Sequence, residues 1–273
     1  MALGEPLLAG EDGPSVIVSG EGRSPVLLVC EHAGRLIPEA FGTLGLVSAD
    51  FQRHIAWDIG AEGVARRLSA LLDATLVLQP YSRLLYDCNR PPEAADAIPL
   101  TSEGTPIPGN EGLTRQQRDE RVERFYRPFH AAIERTIEER SSRELDTVLV
   151  TIHSFTPVYH GVERHLHIGI LHDTDSRLAD LLLRIMGSEE DIVVRRNEPY
   201  GPEDGVTHTL RLHALPRGLL NVMIEIRNDL IAEEARQEAW AHRLAGSLTE
   251  ALSQAMGDAS QPAAAQTQNR ARG

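Results

Sequence analysis

Two histidines follow apolar stretches of the chain, at positions where a polar side chain can do chemistry. His32 lies two residues beyond Pro-Val-Leu-Leu-Val-Cys at 25–30, and His153 lies directly after Asp-Thr-Val-Leu-Val-Thr-Ile at 146–152. Apolar stretches of this kind predict strands that are buried on both faces of a sheet. Neutral imidazole and carboxylate are the ligands that zinc prefers in catalytic sites, where one position stays open for water. The two histidines therefore predict a zinc site beyond these strands.

A third ligand is expected between the first two strands. His54 and Asp58 lie four residues apart in the segment Arg-His-Ile-Ala-Trp-Asp-Ile-Gly at 53–60. On a helix, residues with this spacing share one face, so both side chains could reach the same site. We predict Asp58 as the third ligand, and His54 remains either an alternative ligand or an outer partner.

Glu225 lies near the end of the last apolar stretch, residues 219–226, and Arg227 follows that stretch directly. Residues two apart on a strand point to the same side, so the carboxylate and the guanidinium would lie together. A carboxylate beside a metal-activated water is suited to act as general base. A structural ion pair between the two residues fits the same spacing.

Asn89 and Arg90 precede two consecutive prolines, Pro91 and Pro92. The prolines stiffen the chain directly after the arginine. A rigid guanidinium next to an amide suits bidentate binding of a substrate carboxylate. Pairing of Arg90 with a structural aspartate is the alternative.

The elements that must position these residues alternate between strands and helices. Strands are predicted at 16–18, 25–30, 75–78, 146–152, 165–171, 192–194 and 219–226, and helices at 48–72, 114–140 (with Thr114 as N-cap), 175–186 and 232–255. This alternation predicts an α/β fold with a mixed, mostly parallel sheet and helices on both faces. Sites in such sheets lie beyond the carboxyl ends of the strands. The long loop 91–112, rich in proline and glycine, is also expected to be functional.

Length and composition limit the possible domain organisation and chemistry of the chain. The 273 residues predict one catalytic domain at 1–257 and a disordered tail at 258–273. All 27 basic residues besides histidine are arginine, because the chain contains no lysine. Schiff-base chemistry, Ser–Lys hydrolysis and a lysine-containing phosphate-binding loop are therefore excluded. Neither a Gly-x-Ser-x-Gly elbow nor a strand-linked Gly-x-Gly-x-x-Gly occurs, so serine hydrolysis and dinucleotide binding have no support either.

The net charge of −13 argues against nucleic acid as a partner, because phosphate binding requires a basic face. No apolar stretch approaches the ~18 residues of a membrane span, so no membrane partner is expected. The N-terminus shows no secretory signal, which predicts a cytoplasmic protein. The sequence carries no signal for the oligomeric state.

Seven short motifs in order resemble the N-formylglutamate amidohydrolase family, over about residues 26–230. They are Cys30-Glu31-His32-Ala33-Gly34, His54-Ile55-Ala56-Trp57-Asp58-Ile59-Gly60, Tyr81-Ser82-Arg83, Asp87-Cys88-Asn89-Arg90-Pro91, Ile152-His153-Ser154-Phe155-Thr156-Pro157, Asn197-Glu198-Pro199-Tyr200 and Glu225-Ile226-Arg227. The family is related in fold to zinc carboxypeptidases and to aspartoacylase-like deacylases. The resemblance implies a phosphorylase/hydrolase-like, three-layer α/β/α sandwich around a mixed sheet.

The resemblance also implies roles for individual residues. The implied zinc ligands are His32, Asp58 and His153, the implied catalytic residues are Glu225 and Arg227, and the implied substrate-binding residues are Asn89, Arg90, Ser154 and Tyr200. The chain is thus expected to be a zinc-dependent amidohydrolase of an N-acyl amino acid such as N-formyl-L-glutamate, a small-molecule substrate. A carboxypeptidase-like peptidase or a deacylase for another acyl group is an alternative. A protein that binds metal or ligand on the same scaffold without catalysis is another.

Overall fold

The computed structural model of the protein describes residues 17–19 and 22–258. The strands are β1 (Ile17–Ser19), β2 (Val26–Cys30), β3 (Thr75–Leu78), β4 (Thr101–Ser102), β5 (Thr105–Pro106), β6 (Val148–Phe155), β7 (Val158–Tyr159), β8 (Val162–Glu163), β9 (Ile168–Leu171), β10 (Val194–Arg196) and β11 (Asn221–Arg227). The α-helices are α1 (Ala61–Leu72), α2 (Arg115–Arg121), α3 (Arg127–Ser142), α4 (Arg177–Met186) and α5 (Glu234–Asp258). The helix α5 includes the first residue of the predicted tail, and the rest of that tail lies outside the described residues.

In the described part of the chain, seven strands form one sheet in the order β1-β3-β2-β6-β11-β9-β10. Neighbouring strands are parallel except for β1 with β3 and β11 with β9, which are antiparallel. The parallel pairing of β6 with β11 sets His153 opposite Glu225. Because partners in a parallel register point to the same face, this pairing directs both side chains to one side of the sheet.

Alternate residues of the central strands face two separate cores. On one face, Val26 and Leu28 pack with α1, α4 and α5, and on the other face Leu27 and Val29 pack with α3 and the turn before it. These two layers of helices on a mixed, mostly parallel sheet confirm the predicted α/β/α architecture. His153 is four residues after Leu149 on β6, and Glu225 is two residues after Met223 on β11, so each points to the same face as that earlier residue. Leu149 and Met223 line the second core, so the site lies on the α3 side of the sheet.

The predicted helix at 48–72 is wrong in its first half. Residues 50–52 form a single 3₁₀ turn, and helix α1 begins only at Ala61. Tertiary contacts hold the intervening segment in a loop: the amide of Asp58 donates to the carbonyl of His32 at 2.9 Å, and the carbonyl of Ile59 accepts from the hydroxyl of Ser154 at 2.8 Å. This segment therefore forms a loop despite its helical periodicity, because the contacts that fix Asp58 outweigh its local preference for a helix.

The predicted helix at 114–140 is confirmed in type and in its start. Thr114 accepts a hydrogen bond from the Gln117 amide and forms a capping box with it. One π-helical turn, Val122–Tyr126, separates α2 from α3. The preceding loop contains the short β4–β5 hairpin. No helix in the described part of the chain combines the length and the apolarity needed to cross a membrane.

Gly60 is required where the loop enters α1. Its φ is +82°, and a Cβ there would lie 2.2 Å from the carbonyl oxygen of Ile231. We expect Gly60→Ala to cost more than about 1 kcal/mol and to lower the Tm by several degrees. Gly104 is the matched control, because its φ is +73° but a Cβ would meet no atom within 4 Å. Equal losses of Tm in Gly60→Ala and Gly104→Ala, measured by thermal unfolding, would exclude a steric cost at Gly60.

Candidate metal centre

The structure brings His32, Asp58 and His153 together in the interior. Oδ2 of Asp58 lies 3.3 Å from Nδ1 of His32 and 2.9 Å from Nδ1 of His153. Each residue offers one ligand atom, and these atoms lie within 4.8 Å of one another. The three side chains are at most 4% exposed. His54 does not join them, because its Nε2 lies 3.1 Å from Oε2 of Glu103 in the β4–β5 hairpin.

Neighbouring strands and one loop hold this arrangement. His32 lies just beyond β2 and His153 lies within β6, which is the strand beside β2. The strand therefore continues past Ile152, where its end was predicted, and includes His153. Oδ2 of Asp58 also accepts from the backbone amide of Ser154 at 3.3 Å. The loop before α1 is thus tied to both strands through Asp58.

Two further carboxylates hold the outer nitrogens of the histidines. Oδ1 of Asp87 lies 2.7 Å from Nε2 of His32, and Oε2 of Glu31 lies 3.0 Å from Nε2 of His153. Asp87 can accept from Nε2–H of His32, which keeps the lone pair on Nδ1, and this atom faces Asp58. Glu31 lies within ion-pair distance of His153, and no hydrogen bond joins their side chains among the described residues. Sequence reasoning assigned no role to Asp87 or Glu31. The signal was present, since Glu31 precedes His32 and Asp87 begins the Asp-Cys-Asn-Arg motif.

Arg83 is the cation nearest to this cluster. Its Nη1 lies 3.4 Å from Oδ1 of Asp58 and its Nη2 lies 2.7 Å from Oδ2 of Asp87. The side chain is 29% exposed, so one part of the guanidinium faces solvent while the other contacts the buried carboxylates. Burial works against the charged form of Arg83, but Asp87 and Asp58 outweigh burial and raise its pKa. Arg83 stays charged, and sequence reasoning gave it no role.

Glu225 points to the same face of the sheet as His153 and is 4% exposed. Its Oε2 has no hydrogen-bond partner among the described residues. Burial raises the pKa of Glu225 to about 7, with nearby Asp58 adding to the rise and His153 opposing it. A buried carboxyl oxygen without a partner is costly, and it is therefore typical of a group that meets a ligand or takes part in proton transfer.

The ionisation of the two histidines follows their carboxylate neighbours. Burial disfavours the imidazolium of His153, but Glu31 and Asp58 outweigh burial and raise its pKa well above the ordinary value. For His32, burial and Arg83 lower the pKa, while Asp87 and Asp58 more than reverse the effect. Burial would raise the pKa of the Asp58 carboxyl, but the two histidines hold it well below its usual range. The cluster thus attracts positive charge.

The donor set fits a divalent cation. Glu31, Asp58, Asp87 and Glu225 are all buried, with exposures of at most 4%. When the imidazoles are neutral, Arg83 offsets only part of the negative charge of these four carboxylates. Burial of unpaired charge is strongly unfavourable, so a dication between the two Nδ1 atoms and Asp58 would offset much of it. Two imidazoles and a carboxylate form the set of three protein ligands that is typical of catalytic zinc.

Arg227 and Ser154 contact protein groups. The guanidinium of Arg227 pairs with both carboxylate oxygens of Asp229, at 2.8 and 3.2 Å, and its Nη1 donates to the carbonyl of Arg164 at 3.2 Å. The alternative of an ion pair between Arg227 and Glu225 is absent from these contacts. The hydroxyl of Ser154 donates to Ile59, and its amide donates to Asp58. Both residues thus hold the loops that border the cluster.

Asn89 and Arg90 are engaged in the same way. The Asn89 amide donates to the carbonyl of Val206, and its Oδ1 accepts from the Thr209 amide at 3.2 Å. Nε of Arg90 pairs with Asp96 at 2.7 Å. The other guanidinium nitrogens of Arg90 donate to the backbone carbonyls of Asn89, Asp204 and Gly205. These contacts fit the alternative prediction, in which Arg90 pairs with a structural aspartate, here Asp96.

Tyr200 lies next to Arg164, which the sequence did not single out. Its hydroxyl accepts from Nη1 of Arg164 at 3.0 Å. Burial raises the pKa of Tyr200, and the charge of Glu225 raises it further. Tyr200 is therefore close enough to Glu225 for their charges to interact.

Comparisons with known proteins identify the family and the fold of the chain. A family model described as N-formylglutamate amidohydrolase matches residues 24–232. The chain is similar to a gene product of Agrobacterium tumefaciens of known crystal structure, with 56% identity, a TM-score of 0.87 and coverage of 89% of this chain and 96% of that chain. An N-formylglutamate amidohydrolase from Ralstonia eutropha JMP134 shares the fold, with 21% identity, a TM-score of 0.61 and coverage of 89% and 97%. No curated protein matches the chain.

Proposed function

Because the chain belongs to the N-formylglutamate amidohydrolase family, we propose that it is a zinc-dependent hydrolase of N-formyl-L-glutamate. The reaction adds one water across the formyl amide bond and releases formate and L-glutamate. One observation carries the proposal: a buried carboxyl oxygen of Glu225 without a partner lies on the same face of the sheet as His153, which clusters with His32 and Asp58.

His32, Asp58 and His153 would hold the zinc ion through the two Nδ1 atoms and a carboxylate oxygen. When bound, zinc would polarise the amide carbonyl and lower the pKa of a water molecule. Asp87 would accept from Nε2–H of His32, and the charge of Glu31 would favour a proton on Nε2 of His153, so that each Nδ1 lone pair stays available. The same outer carboxylates would fix the orientation of the two rings, whose centroids are 5.1 Å apart.

Glu225 would act as general base and then as general acid. Its carboxylate would accept a proton from the attacking water and later donate it to the nitrogen of the departing glutamate. A base with a pKa of about 7 can do both near neutral pH, because neither protonation state is strongly favoured. Its burial keeps bulk water away from the transferred proton.

We assign the stabilisation of negative charge on the carbonyl oxygen to Arg83. Its contacts with Asp58 and Asp87 fix the guanidinium at the edge of the cluster, and part of it remains exposed. A donor that is already in position before the reaction lowers the activation barrier by about 3 kcal/mol. Arg227, which pairs with Asp229, is assigned a positioning role.

Formate release tests this function against its alternatives. We expect purified protein to release formate from N-formyl-L-glutamate much faster than it releases acetate from N-acetyl-L-glutamate or cleaves a glutamyl dipeptide. A zinc chelator should abolish formate release, and added zinc should restore it. Faster cleavage of the dipeptide or of the acetyl compound would identify a peptidase or another deacylase. Zinc binding without hydrolysis of any of the three would favour a binding protein.

A further inference from the structure

Arg164 lies directly after the β7–β8 hairpin among aromatic rings. Its guanidinium carbon lies 4.6 Å from the ring centroid of Tyr159, 4.8 Å from that of Tyr200 and 5.8 Å from that of Phe155. Its Nη1 also donates to the hydroxyl of Tyr200 at 3.0 Å. Aromatic faces stabilise a guanidinium and hold it in one orientation, but they do not neutralise its charge.

Arg164 differs in this respect from Arg83, Arg90 and Arg227. Arg83 pairs with Asp58 and Asp87, Arg90 with Asp96, and Arg227 with Asp229. Among the described residues, no carboxylate forms an ion pair with Arg164. It is thus a fixed, partly buried cation whose charge is free to meet an anion from outside the protein.

The position of Arg164 relative to the cluster fits one part of the proposed substrate. Phe155 lies two residues after His153 on β6, so both side chains point to the same face, and Arg164 lies over the Phe155 ring. The Cα atoms of His153 and Phe155 lie roughly 7 Å apart along the strand, and the guanidinium lies over the Phe155 ring, so Arg164 lies to one side of the cluster. In extended N-formylglutamate the side-chain carboxyl carbon lies about 6 Å from the formyl carbon, farther than the α-carboxyl carbon, and is the carboxylate better placed to reach a cation to one side of the cluster.

The base of the hairpin holds Arg164 in place before any ligand binds. The Arg164 amide donates to the carbonyl of Pro157 at 2.8 Å and closes the hairpin. Nη1 of Arg227 donates to the carbonyls of Arg164 and Leu166 from the end of β11. Since β11 also carries Glu225, the same strand positions the proposed base and the segment that carries Arg164.

We propose that Arg164 binds the side-chain carboxylate of the substrate and thereby makes the site selective for acidic N-acyl amino acids. The inference rests on the proposed function for the identity of the reaction. The selectivity itself is a property of the binding site and can be measured without turnover. Tyr200 would orient the guanidinium through its hydroxyl and so act as a positioning residue.

Binding of the product provides the test. In isothermal titration calorimetry, wild-type zinc-loaded protein should bind L-glutamate more tightly than its neutral isostere L-glutamine. Arg164→Gln should weaken the binding of L-glutamate by about 10- to 100-fold and leave that of L-glutamine nearly unchanged. Arg164→Lys keeps the charge without the planar fork and should keep part of the preference. Arg195→Gln, an exposed arginine with a contact only to the neighbouring carbonyl, is the matched control.

The outcomes separate the two proposals. Equal binding of L-glutamate and L-glutamine by the wild type, or an unchanged preference in both Arg164 variants, would overturn the assignment of Arg164. An equal loss for both ligands in Arg164→Gln and Arg164→Lys would also overturn it, because a structural role predicts that result. A preference that depends on Arg164, in a protein that releases no formate from N-formyl-L-glutamate, would support this inference and reject the proposed reaction.

Discussion

Replacement of Glu225 by glutamine is expected to lower kcat for formate release by about two to four orders of magnitude. Glutamine keeps the shape of the side chain in its buried position but cannot accept the proton of the attacking water. Zinc content should stay at the wild-type level, because Glu225 is not among the three proposed ligands. Steady-state kinetics on N-formyl-L-glutamate together with metal analysis of the same preparation would measure both quantities.

Glu111→Gln is a suitable control for the Glu225 experiment, because it makes the same chemical change at an exposed loop position. It should leave kcat and zinc content unchanged. Near-normal activity in Glu225→Gln would show that another group acts as the base. A parallel loss of zinc would instead show that Glu225 supports the metal.

Removal of one proposed ligand is expected to abolish zinc binding at micromolar zinc. His153→Ala removes one Nδ1 ligand atom, leaves Glu31 in the interior without its imidazole neighbour, and leaves Asp58 with the imidazole of His32. Changes in outer partners of zinc ligands already cost about 10- to 100-fold in affinity, and loss of a ligand should cost more. Asp58→Ala should have a similar effect. Zinc titration with a competing chromophoric chelator would give the affinities.

His54→Ala provides the matched control and decides between the two third ligands that the sequence left open. Because His54 contacts Glu103 in the β4–β5 hairpin, its removal should change zinc affinity less than about 10-fold. Zinc loss in His54→Ala, combined with zinc retention in Asp58→Ala, would show that His54 and not Asp58 is the third zinc ligand. Such a result would mean that the loop before α1 rearranges when zinc binds.

The sheet and its two histidines could be predicted because both depend on local patterns. The apolar stretches before His32 and after Asp146 are too continuous for half-exposed strands, and such strands in an α/β protein carry their polar residues at one end. The prediction of Asp58 depends on helical spacing, whereas residues 53–60 form a loop that is fixed by long-range contacts. The proximity of Asp58 to the histidines thus arises from tertiary structure.

The partners of charged groups could not be predicted, because they depend on how the loops and strand ends fold and not on spacing in the sequence. Nothing local indicates that Arg90 pairs with Asp96 or that Arg227 turns from Glu225 to Asp229. Spacing on a strand gives the direction of a side chain but not the carboxylate that its charge meets. For the same reason Arg164, which has aromatic neighbours and no acidic partner, becomes visible only in the folded chain.

The zinc content of the wild-type protein tests the central claim most directly. After zinc loading and removal of excess metal, inductively coupled plasma mass spectrometry should find about one zinc ion per chain, as expected for three protein ligands and one open position. The double variant His32→Ala, His153→Ala should retain none under the same treatment. Absence of zinc from the loaded wild type, or equal zinc in the double variant, would contradict the assignment of His32, Asp58 and His153 as the metal centre.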